Sequence, residues 1–228
     1  MLDGTIAAAL GRAAATLAGR GVARQVALDV LAVLDGWKPL CLVGRGDEAD
    51  ADAVCETAAE LGLPLHHGTW WEPLPPPGRL PAWYMAATAR RRAATRAAFI
   101  CRDDAALGAA RGLCDAGRVT PEAEAALLGY PRCCVAQHHR QVLALERLIA
   151  ERTAQLARGD AARMARMIEH GAEPLPATAG DRQRFQDATK VALAPGTGLA
   201  MCDACAGDPS GPAMRWAARY AALAARCF

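Results

Sequence analysis

Alanine limits what this chain can build. Of its 120 hydrophobic residues, 55 are alanine, while Val, Ile, Leu and Phe together supply 42. Alanine is the strongest helix former but buries little area per residue, so the expectation is closely packed helices around a modest core. So low a share of large aliphatics would signal disorder if net charge were high. Here 26 basic and 24 acidic side chains leave only +2. At roughly 100–200 residues per domain, 228 residues make one large domain or two small ones.

Other residue types are nearly missing. There is no Asn, one Ser (Ser210) and two Lys (Lys38 and Lys190), so arginine carries almost all positive charge. No GxSxG elbow for a serine hydrolase and no GK[ST] of a P-loop can be written with this set. A kinase-type catalytic Asn and N-glycosylation acceptors are excluded as well. No apolar run approaches the ~18 residues of a membrane span, and residues 6–10 are too short for a signal-peptide core. A cytoplasmic protein with no membrane partner is expected. Nine cysteines in a reducing compartment then point to metal or redox chemistry rather than to structural disulfides.

Periodicity and punctuation predict the elements. Leu2, Ile6, Leu10 and Leu17 fall at helical spacing, and Val22, Val26, Val30, Val33 and Leu34 form a second stripe. The run Leu40-Cys41-Leu42-Val43 reads as a buried strand, followed by a helix over 48–61 and a second strand over 63–66. This strand–helix–strand unit predicts a parallel pair with a right-handed crossover. Residues 97–101 give a third buried strand, and Asp103 or Asp104 caps the next helix. Thr120-Pro121-Glu122 is a helix start with hydroxyl cap, proline at the first position and acid in the first turn. Beyond Pro131 the chain reads as nearly all helix, with links at 171–180 and around residues 194–201. The fold class expected is α/β, a small mostly parallel sheet flanked by helices. Residues 1–117 form an α/β region and 118–228 a helical, cysteine-bearing region, the two possibly continuous as one domain.

Four cysteines carry the main chemical signal: Cys133-Cys134 and Cys202-x-x-Cys205. Each pair stands at or before a predicted helix start, where partial positive charge favours thiolate, the form that binds soft metals. Cys-x-x-Cys spacing lets two sulfurs turn toward one ion or one cluster edge. Adjacent cysteines are less natural for a single zinc, because neighbouring side chains diverge; they better suit a multi-iron cluster, or one ligand beside one reactive thiol. His138 lies one helical turn after Cys134 on the same face, within reach of the same centre. Tyr130 either donates a hydrogen bond near the thiolates or packs its ring in the core.

The segment Leu128-Gly129-Tyr130-Pro131-Arg132-Cys133-Cys134-Val135 resembles the Gly-Tyr-Pro-x-Cys-Cys signature of a prokaryotic family, the domain of unknown function numbered 483. Phe99-Ile100-Cys101-Arg102-Asp103 and the later close pair of cysteines are similar to it as well. The resemblance spans residues 99–228 and implies an α/β protein whose thiol site is carried by Cys133, Cys134, Cys202 and Cys205. It implies no reaction.

Weaker candidates surround these. Gly44-Arg45-Gly46-Asp47 follows a strand as an anion-binding turn would, but lacks the third glycine of a dinucleotide fingerprint. His66-His67 follow the second strand, where a ligand or base could stand. Residues 70–81, with Trp70, Trp71 and Pro81, form a loop suited to cover a pocket. Arg90, Arg91, Arg92 and Arg96, with Arg152, Arg158, Arg163 and Arg166, could hold an anionic small-molecule substrate, whereas the small net charge and the lack of interleaved aromatics argue against nucleic acid. The leading expectation is an iron–sulfur enzyme in redox or sulfur chemistry. Its metal ligands would be Cys133, Cys134, Cys202, Cys205 and His138, with Cys134, His138 and Tyr130 as catalytic groups. The alternatives are a zinc-stabilised binding module without catalysis and a metal-free thiol enzyme.

Overall fold

Helix ends fall where local chemistry puts them. The computed structural model describes residues 2–44, 48–73, 75, 78–93, 96–170, 178–195, 197 and 199–228. Helices α1 (Leu2–Gly19) and α2 (Arg24–Leu34) open the chain, bury Leu10, Leu17, Val30 and Leu31, and leave Ile6 exposed. Strand β1 (Leu40–Gly44), helix α3 (Glu48–Glu60) and strand β2 (Leu65–Thr69) follow. His66 and His67 therefore lie within β2 rather than after it. The turn residues Arg45, Gly46 and Asp47 lie outside the described residues, as do Pro76, Pro77 and residues 171–177.

Strand β3 (Glu72–Pro73) and helix α4 (Ala82–Ala93) precede strand β4 (Arg96–Cys101). Asp103 then caps helix α5 (Asp104–Ala116), accepting from the Ala106 N–H at 2.8 Å. A cap of this kind is worth about 1 kcal/mol. Strand β5 (Arg118–Val119) leads to helix α6 (Pro121–Leu128), where Thr120 accepts from the Ala123 N–H as its sequence predicts. The remaining elements are α7 (Arg132–Leu156), α8 (Ala161–Glu169), α9 (Ala179–Thr189), β6 (Ala192–Leu193), β7 (Ala200–Met201), α10 (Asp203–Ala206) and α11 (Pro212–Cys227).

The expected mostly parallel sheet is overturned. The main sheet has the order β1-β4-β2, and β4 runs antiparallel to both neighbours. Strands β1 and β2 do share a direction, as a strand–helix–strand unit requires, but they stand apart and β4 fills the gap between them. The only parallel pairing among the described residues is the two-residue match of β3 with β5. The error has a physical source. A strand buried on both faces reads as a continuous apolar run, and such a run carries no mark of direction.

Alternation shows how both faces are used. Leu40, Ala97, Phe99 and Cys101 enter one cluster with Trp71, α5 and α6, while Cys41, Val43 and Ile100 enter the other. That second cluster joins α1, α2 and α3 to Cys134, Cys202, Cys205, Trp216, Tyr220 and Leu223. Residues from both sides of position 117 thus share one core, and the paired cysteines sit at its rim. A third cluster packs Tyr84 of α4 against Ala150 of α7 and Ile168 of α8.

Candidate metal centre and adjoining cleft

A turn brings the first cysteine pair into place. Gly129 ends α6 with φ 70°, a conformation that favours glycine, and its carbonyl accepts from Trp216 Nε1 at 3.0 Å. Pro131, with φ −59°, starts α7, and its carbonyl accepts from the Cys134 N–H at 3.0 Å. Cys133 and Cys134 therefore occupy the first turn of α7. The second pair comes from the other side, with Cys202 at the N-cap of α10 and Cys205 inside that short helix.

All four sulfurs lie within 4.8 Å of one another. Cys133 Sγ is 3.6 Å from Cys205 Sγ and 4.0 Å from Cys134 Sγ. The Cys202 N–H donates to Cys134 Sγ at 3.5 Å. Cys134, Cys202 and Cys205 are buried, while Cys133 is exposed. Gln137 clasps the two helices from outside, accepting from the Asp203 N–H at 3.1 Å and donating to its carboxylate at 3.1 Å. Four close thiols of this kind can hold a metal ion.

The thiol electrostatics differ from the simple helix-terminus expectation. Burial, followed by hydrogen bonding with Cys205, pushes the Cys133 thiol up, and burial does the same at Cys134. Burial also opposes ionisation of Cys202, but the Cys205 N–H and the thiols of Cys205, Cys133 and Cys134 outweigh it and bring Cys202 down.

His138 is not among the four converging side chains. It lines a cleft of about 290 Å³ beside the centre, together with Asp29, Lys38, Glu124, Tyr130 and Cys134. Burial holds the His138 imidazole below its usual value. Tyr130 packs edge-on against Trp216 with ring centroids 5.2 Å apart. Burial pushes its hydroxyl up to about 12, so it keeps its proton at neutral pH. Trp70 supplies part of the cleft wall, whereas Trp71 is buried and stacks on Phe99 at 5.2 Å. Of the two adjacent tryptophans, one thus contributes to the wall and the other to the core.

Sequence reading missed the polar groups around the cleft. Lys38 is 1% exposed, forms an ion pair with Asp29, and donates to the Tyr220 hydroxyl at 3.2 Å. Tyr220 in turn donates to Asp29. The Lys38 ammonium also lies 4.7 Å from the centroid of the Tyr130 ring. Burial alone would lower its pKa, yet Tyr130, Asp29 and Cys41 raise it, so the charge is retained. On the other wall, Glu124 accepts from Trp71 Nε1 at 3.2 Å and pairs with His139 Nε2. Burial works against its ionisation, but these hydrogen bonds keep it below the usual carboxylate range. The one available signal was Lys38 itself, one of two lysines in a chain that otherwise uses arginine.

Several of the other candidates have structural partners. Arg90 pairs with Glu169, and Arg92 donates to the Thr69 hydroxyl at 3.0 Å and to the Cys114 carbonyl at 3.4 Å. His66 stacks on Phe99 at 5.9 Å. Cys41, Cys101 and Cys114 are buried, and Cys55 and Cys227 are half-buried. Comparison of the chain with protein-family models, curated proteins and solved structures gives no match.

Proposed function

We propose that Cys133, Cys134, Cys202 and Cys205 hold one zinc ion, and that the protein is a zinc-stabilised binding module. The observation that carries this reading is the sulfur spacing. A tetrahedral ion with metal–sulfur bonds of about 2.3 Å sets its ligands about 3.8 Å apart. The Sγ contacts of 3.6 and 4.0 Å, within a 4.8 Å limit for the whole set, suit that geometry. A four-iron cluster binds each thiolate to a different iron and needs sulfurs on the order of 6 Å apart, which weighs against the iron–sulfur enzyme expected from sequence.

The donor set also bears on role. Four thiolates complete a tetrahedron and leave no position for substrate or water, as structural zinc sites do and catalytic ones do not. A closed site here would tie the start of α7 to α10, and through α10 would fix α11 against α1 and α2. The resemblance of residues 128–135 to the Gly-Tyr-Pro-x-Cys-Cys signature would imply a shared thiol site and adds no reaction to it.

The test is the visible spectrum and metal content of anaerobically purified protein. A colourless protein with one zinc per chain is expected. A brown protein absorbing near 400 nm with several irons would restore the iron–sulfur reading. A chain without metal whose Cys133→Ala and Cys202→Ala variants fold normally would refute both.

A further inference from the structure

The cleft beside the cysteine centre has a chemical character of its own. Its polar lining consists of the Asp29 and Glu124 carboxylates, the His138 imidazole, the Tyr130 hydroxyl, the Cys134 thiol and Lys38. Its one cation, Lys38, is 1% exposed and is engaged by Asp29, by the Tyr220 hydroxyl and by the Tyr130 ring. No arginine lines the cleft among the described residues. Lys38 and Asp29 neutralise each other, so an anionic ligand would meet the Glu124 carboxylate and no available positive charge. Each oxygen of Glu124 already accepts one hydrogen bond, from Trp71 or His139, which fixes the carboxylate while leaving lone pairs for a further donor.

The remaining wall is apolar, with Leu42, Leu128, Val135 and Leu199, and Trp70 adds an aromatic ring. A cleft near 290 Å³ lies at the small end of the range for ligand pockets, about 300–1,000 Å³, too small for a dinucleotide or a peptide. We propose that this cleft binds a small organic ammonium ion carrying a flat or hydrocarbon body. The ammonium donates to Glu124, and the body lies between Trp70 and the aliphatic wall. The attraction of a cation to an aromatic face adds to the carboxylate contact. The proposal does not rest on the identity of the metal, because the acceptor comes from α6 and not from the four thiols.

The test uses three probes of similar shape on the full chain as purified, with metal content measured on the same sample. They are phenethylammonium, 3-phenylpropionate and 2-phenylethanol, titrated at pH 7.5 by calorimetry. The ammonium is expected to bind at least about tenfold more tightly than either of the others, with the advantage shrinking as salt is raised. Glu124→Gln should weaken it by about tenfold, and Ala200→Trp, which fills the cleft from β7, should abolish it with helix content and metal content unchanged. Should Glu124→Gln fail to fold, Ala200→Trp still decides the question. Equal binding of the alcohol or the carboxylate overturns the proposal. So does absence of ammonium binding up to about 10 mM, or ammonium binding that survives Ala200→Trp.

Discussion

The start of α7 and the three-stranded sheet both bury cysteines, and they use them in opposite ways. Around α7 the sulfurs of Cys133, Cys134, Cys202 and Cys205 converge within 4.8 Å. On the sheet, Cys41 and Cys101 occupy neighbouring strands but enter opposite clusters, because their registers place them on different faces. Burial, then Asp103, pushes the Cys101 thiol up to about 11, so it stays protonated and acts as a small apolar side chain. Thiols become a metal site when the fold directs them to one point. Burial alone makes them inert.

Removing one converging sulfur gives the largest expected effect. Cys205→Ala should abolish zinc binding and lower the unfolding free energy by more than about 3 kcal/mol, since metal binding and folding are coupled. Metal analysis with chemical denaturation checks both, and full zinc occupancy in the variant would break the comparison.

Buried carboxylates repeat the contrast and give the second effect. Glu124 has Trp71 and His139 as donors, whereas Glu146 of α7 has a buried oxygen with no hydrogen-bond partner among the described residues. Burial, then the neighbouring Glu72, pushes the Glu146 carboxyl from its ordinary 4.5 up to about 7. The folded state binds this proton more tightly than the unfolded chain does. Its contribution is therefore full below about pH 4.5 and is lost as pH rises through 7. Glu146→Gln, which stays neutral, should stabilise the protein at pH 8 by at most about 3 kcal/mol and leave it unchanged at pH 4. Thermal unfolding across that range reads the difference, and an equal effect at both ends would contradict it.

The smallest effect belongs to the sheet. Cys101→Ala should cost about 1 kcal/mol, the price of one lost buried group, with zinc content unaltered. A loss of zinc in this variant would mean that the two cysteine populations are not separate.

Much of the helix plan was legible because punctuation is local. Asp103 and Thr120 cap helices through their own side chains, and Gly117 and Gly129 stop them with positive φ. The cysteine centre was legible for a related reason: two close pairs at helix starts leave few other arrangements. Strand direction was not, since β4 is buried on both faces and its apolar run fits either orientation. The cleft was hidden as well. Asp29, Lys38, Glu124 and Tyr220 are spread along the chain from α2 to α11, and only the shared core brings them together. His138 shows the limit of helical spacing as a guide. It follows Cys134 by one turn, yet it lines the cleft and stays outside the four-sulfur group.

X-ray absorption at the zinc edge of the purified protein tests the central claim most directly. The predicted result is a single shell of four sulfur neighbours at about 2.3 Å. A shell with nitrogen or oxygen neighbours, or a short metal–metal vector in a protein that holds iron instead, would contradict a closed four-thiolate zinc site.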